Sequence, residues 1–142
     1  MPKKSLVVAS IAVCAVVLGQ RPLCAQQQEE PDPCAGATVQ SDANTCWARE
    51  AERADDEMKQ AYLALLQKLP SRLAENLKKA QKLWLEFRDA HVATLYGAPH
   101  PLTTYGPEYA MCLSIVRWEL ARDRTRELRR LLRPEEGGVC PL

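Results

Sequence analysis

The sequence predicts an all-α protein: an up-down-up three-helix bundle, stapled by disulfides, behind a cleaved signal peptide. Three observations lead there. Long segments place apolar residues at alternating steps of three and four, the helical period, and no strand-like alternation follows the N-terminal leader. Proline and glycine break that pattern at Pro70-Ser71 and again across 98–107. Four cysteines, Cys34, Cys46, Cys112 and Cys140, lie beyond the leader, an even set in a small domain.

Residues 1–25 read as a secretory signal. Lys3 and Lys4 supply the charged start, and Leu6 to Gly19 form an apolar run too short to span a bilayer comfortably. Arg21-Pro22 ends the run, and cleavage is expected after Ala25. Val13 before Cys14 and Leu23 before Cys24 are not the small residues that precede a lipid-modified cysteine, so a lipoprotein is disfavoured. The expected location is periplasmic or secreted, with no stable membrane insertion of the mature chain. Three of the 19 basic residues leave with the leader, so 16 face 18 acidic ones, a formal −2. That balance does not point to nucleic acid. Residues 26–33 are polar, with two prolines, and are expected to form a disordered linker ahead of a single domain over 34–142.

The first helix is expected to start at Asn44 or Thr45, whose side chains can cap it, and to collect Glu50, Glu52, Asp55 and Asp56 in its early turns. Its inner face reads Trp47, Ala51, Ala54, Met58, Ala61, Tyr62, Leu65 and Leu69. Pro70 stops it, having no N–H to donate and displacing the residue before it from helical geometry. The second helix runs from about Arg72 to Tyr96, with Leu73, Leu77, Ala80, Trp84, Phe87, His91 and Leu95 inward and Gly97 as its stop. Residues 98–107 hold three prolines and a glycine and read as a loop. The third helix begins near Glu108, carries Tyr109, Cys112, Leu113, Val116, Leu120, Leu128 and Leu131 inward, and ends before Pro134.

Charge is unevenly placed. Residues 29–57 hold nine acids and two arginines, whereas residues 117–133 hold seven arginines and three acids. The arginines are read as an exposed face pairing with acids on the first helix and on their own turns. No C-x-x-C occurs and His91 and His100 lie in different elements, so neither metal nor other cofactor is expected.

Reach constrains the disulfides. The helix from Cys112 to Arg133 spans ~30 Å at ~1.5 Å per residue, and the seven residues back to Cys140 return at most ~24 Å. Bridged Cα atoms lie about 5.5 Å apart, which nearly excludes Cys112–Cys140. In an up-down-up bundle the first and third helices start at the same end. Cys46–Cys112 with Cys34–Cys140 is the preferred pairing; Cys34–Cys112 with Cys46–Cys140 is the alternative.

The stretch Gln81-Lys82-Leu83-Trp84-Leu85-Glu86-Phe87-Arg88-Asp89-Ala90-His91 resembles the Q-x-x-W-x-x-[YF]-R-D-x-x-C motif of the LprI-like lysozyme-inhibitor family of small secreted bacterial proteins. His91 stands at that motif's cysteine. Thr38, Gln40, Asn44, Cys46, Glu50, Ala54-Asp55, Met58, Tyr62 and Leu65-Leu66 are similar to an earlier block of the family, with Lys59 in place of its asparagine. Leu120, Arg124, Thr125, Glu127 and Leu128 resemble its ending, with Ala121 in place of a threonine. The likeness covers roughly Cys34 to Leu132. Tyr62, Gln81, Trp84, Phe87, Arg88 and Asp89 are expected to be structural, with Arg88-Asp89 forming an ion pair or helix-end hydrogen bonds beside Trp84. His91 is expected to be half-buried and hydrogen-bonded at a helix end.

The resemblance implies a protein that binds a lysozyme-type glycosidase and blocks it. Such enzymes work with two carboxylates in a sugar-binding cleft, so occlusion suffices. Candidate contacts are Glu50, Asp55 and Asp56, which could steer toward a cationic enzyme, and His100, Leu102 and Tyr105 on the proline-stiffened loop, which could insert. The competing reading is an envelope interaction or scaffold module without inhibitory activity. An enzyme is disfavoured, because no serine has a nearby histidine and the acids cluster on an exposed helix, leaving no catalytic residues. Oligomeric state is not readable from these patterns.

Overall fold

A computed structural model describes residues 31–133 and is helical throughout, with no strand among the described residues. The leader, residues 26–30 of the expected linker and Cys140 lie outside them. The elements are α1 (Gln40–Lys68), α2 (Ser71–Tyr96), α3 (Pro101–Tyr105) and α4 (Tyr109–Leu132). None of the described helices is long and apolar enough to cross a membrane.

α1 begins at Gln40, ahead of the expected caps. Val39 is the extended residue before it and offers no side-chain cap. Thr45 instead turns its hydroxyl onto the Ser41 carbonyl at 2.9 Å, a bond within the helix. Asn44 donates to the Pro107 carbonyl at 3.2 Å, tying the first turns of α1 to the approach to α4. The inner face of α1 is as expected: Trp47, Ala51, Ala54, Met58, Ala61 and Leu65 are buried. α4 buries the small residues Ser114 and Ala121, and with small residues on both helices α1 and α4 run close together. Trp47 and Trp118 meet edge to face at 5.3 Å.

α2 lies farther from both and is joined to them by long side chains. Leu77 enters the cluster of Met58, Ala61, Leu65 and Leu128, with Trp84 and Leu85 packed against it. The expected inner row of α2 is rotated. Leu73, Phe87 and Leu95 are exposed, as are Ala80 and His91; the residues that turn inward are Leu77, Gln81, Trp84, Arg88 and Val92. A polar row was passed over because hydrophobic periodicity cannot register it. His91 is therefore a surface residue against the Phe87 ring, at 5.6 Å, and not a half-buried one.

The loop expected over 98–107 contains the helical turn α3. Pro101 sits at its first position, where the missing N–H costs nothing and φ is already helical. Gly106 ends it at φ 80°, a conformation that side chains oppose.

The disulfide is Cys34–Cys46, with Cα atoms 5.9 Å apart. This overturns both expected pairings, Cys46–Cys112 with Cys34–Cys140 and its alternative. Those assumed that Cys46 stood at a free helix start. α1 starts six residues earlier, and the turn over 33–36 folds Cys34 back against the helix side. Asp32 holds this turn by accepting from the Cys34 N–H at 2.7 Å. Cys112, half-buried, is a free thiol among the described residues.

Leu128 is fully buried at 0 % exposure. Leu128→Ala should cost about 2–5 kcal/mol in urea unfolding. Non-reducing peptide mapping should recover Cys34 joined to Cys46. Reducing that bond should lower stability by about 2–3 kcal/mol, in line with a short closed loop.

Candidate functional site

Two features stand out: a polar layer that crosses the domain, and the turn α3 at one end of it. The layer begins with Asp55 on α1. Its carboxylate accepts from Arg88 Nη1 of α2 at 3.1 Å and from Arg117 Nη2 of α4 at 3.5 Å. Arg88 also pairs with Asp89 at 3.0 Å. One turn deeper, Gln81 donates through Nε2 to the Met58 sulfur at 3.0 Å and accepts from Arg124 Nε at 3.1 Å. Arg124 is buried, at 7 % exposure, and sends Nη1 to Glu127 at 2.7 Å. Between these levels lies Trp84, with the Arg88 guanidinium 5.7 Å from its ring centre and that of Arg124 at 6.0 Å. Arginine is suited to this place, being planar, permanently charged and able to stack while donating at its edge.

α3 is held by tyrosines. Tyr105 stacks on Tyr109 at 5.8 Å, and Tyr96 meets both edge-on at 5.5 and 5.9 Å. Burial, with Cys112 and Tyr105 beside it, pushes the Tyr96 hydroxyl above its ordinary range. The turn thus presents outward residues on a fixed base. Leu102 is 67 % exposed, and His100, Thr103 and Thr104 are exposed around it. Beneath the turn an open cleft of about 480 Å³ runs between α2 and α4, lined by Arg88, Asp89, Tyr96, Tyr109, Leu113 and Arg117 among others. No group of His, Cys, Asp and Glu among the described residues is arranged to hold a metal.

The family model of the lysozyme inhibitor LprI matches residues 33–128, most of the described chain. The chain belongs to the LprI family. It is also similar to an uncharacterized protein of Rhizobium meliloti (strain 1021), 33% identical over 129 residues, covering 78% of this chain and 86% of the relative. No solved structure matches it.

The LprI resemblance now has a physical reading. Its three sequence blocks supply Asp55 and Met58, then Gln81, Trp84 and Arg88, then Arg124, which lie at the centre of the polar layer; Arg117 joins it from outside the blocks. Tyr62 and Trp84 are half-buried against the apolar cluster; Phe87 of the same motif faces solvent at 54 % exposure.

The candidate contacts do not form one patch. Asp55 is occupied by two arginines and Glu50 pairs with Arg53, whereas Asp56 is exposed. On the loop, Tyr105 anchors while His100 and Leu102 face outward. The arginines of α4 pair as expected, Arg117 with Asp55 and Arg129 with Glu57 across helices, Arg126 with Asp123 on its own turn. Burial of Arg124 was not anticipated; its place four residues before the core Leu128 is the signal that carried it.

Gln81→Leu should cost about 1–3 kcal/mol, because it strips an acceptor from a buried guanidinium. Gln81→Leu combined with Arg124→Met should recover most of that loss, since an apolar pair replaces the polar one. Urea unfolding of the two variants checks this; equal losses in both would contradict the pairing.

Proposed function

We propose that this protein is an exported inhibitor that binds a lysozyme-type glycosidase, fills its sugar-binding cleft and performs no chemistry of its own. Membership of the LprI family over residues 33–128 is the observation that supports it. A glycosidase that depends on two carboxylates across a cleft stops when the cleft is filled. On this reading the three long helices act as an up-down-up bundle whose task is to hold α3 in place.

α3 is the inserting element. Leu102 supplies an apolar tip flanked by His100 and Thr103, and the tyrosine base holds the turn in order before binding, which lowers the entropic cost. Of the acids read as steering groups, Asp56 is left open to attract a cationic enzyme, and Asp55 serves the polar layer instead. The charged and apolar start of the chain supports export to the periplasm or beyond.

The test is turnover of cell-wall substrate by lysozymes of several classes against a titration of oxidised protein. Stoichiometric inhibition is expected. Leu102→Asp should weaken it by at least about tenfold, or ~1.4 kcal/mol, with unchanged melting. Absence of inhibition in every class would overturn the reading and leave a non-inhibitory envelope interaction module.

A further inference from the structure

α2 carries two apolar faces, and only one is used inside the domain. The other is laid out in sevens: Leu73, Ala80 and Phe87, interleaved with Asn76, Leu83 and Ala90. All six are exposed, Leu83 at 63 %. Solvent-facing helix surfaces do not ordinarily hold a leucine and a phenylalanine at the centre of such a row, and a repeat of seven is the spacing by which one helix packs along another. The row spans about 25 Å at ~1.5 Å per residue.

We propose that this face is a self-association surface, through which two copies of the chain pair α2 against α2 in antiparallel fashion. Two features select a second copy. Placing Leu83 of one copy against Phe87 of the other also places Ala80 against Ala90 and Asn76 against Thr94, so bulky residues meet at the two-fold axis and small ones let the helices close on either side. Leu73 borders an apolar groove of about 390 Å³ that Leu65, Leu69, Leu77 and Leu131 also line.

Charge agrees. The first half of α2 carries Arg72, Lys78, Lys79 and Lys82 against Glu75. The second half carries Glu86 and Asp89, and its Arg88 turns inward to Asp55. Antiparallel pairing sets the basic half over the acidic half; parallel pairing would set like over like.

Sedimentation equilibrium of the purified oxidised protein over a wide concentration range tests the pairing. A reversible monomer–dimer equilibrium is expected. Leu83→Glu and Phe87→Glu should each raise its dissociation constant at least tenfold without lowering the melting temperature, and Leu63→Glu, an exposed leucine on α1, should leave it unchanged. A monomer at every concentration overturns the proposal, whether or not the variants fold. If that monomer also loses lysozyme inhibition on Phe87→Glu, the face belongs to the glycosidase. A dimer that survives both α2 substitutions overturns it as well.

Discussion

Trp84 lies between two guanidiniums, and each long helix contributes something that keeps it there. Arg88 is fixed by Asp55 of α1, and Arg124 of α4 is fixed by Gln81, which in turn rests on Met58. Remove Asp55 or Gln81 and an inward-facing guanidinium loses one of its acceptors, which is costlier than the loss of a surface pair. The layer therefore sets the rotation of α2 about its own axis. A purely apolar interface would tolerate several rotations, since leucines on either face could fill the space. Specific hydrogen bonds tolerate one.

That rotation decides what is left outside. With Gln81 and Arg88 inward, Phe87 and Leu83 face solvent, and the apolar content of α2 is divided between a packed face and an open one. α1 and α4 carry no comparable surplus: their small residues are used up in bringing the two backbones together. α3 is set by a separate device, the tyrosines.

The fold was legible where apolar residues did the positioning. On α1 the buried face coincides with the periodic one, because its buried residues, from Trp47 to Leu65, are all apolar in character. On α2 it was not, because Gln81 and Arg88 are inner residues with polar names, and periodicity assigned their places to Leu73, Phe87 and His91. α3 escaped for another reason: a proline at the first helical position starts a helix as readily as it marks a loop. The disulfide was not legible, because helix ends place Cys46 at the start of α1, whereas α1 starts at Gln40 and Cys34 turns back onto its side. At the candidate site, the outward Leu102 and His100 were readable from a proline-rich connector, whereas the anchoring of Tyr105 needed Tyr96 and Tyr109 to be brought together by the fold.

The closest helix pair, α1 with α4, joins opposite ends of the described chain, and this shapes how the domain is assembled. A chain emerging from its N-terminus presents α1 long before α4 exists to cover Trp47, Ala54 and Leu65. Contacts so distant along the chain are slow to form. The bridge between Cys34 and Cys46 closes without waiting for them, since both cysteines are in the earliest segment. Oxidation and the turn at Asp32 can thus be completed while the apolar face is still bare, and the last helix to arrive seals the core.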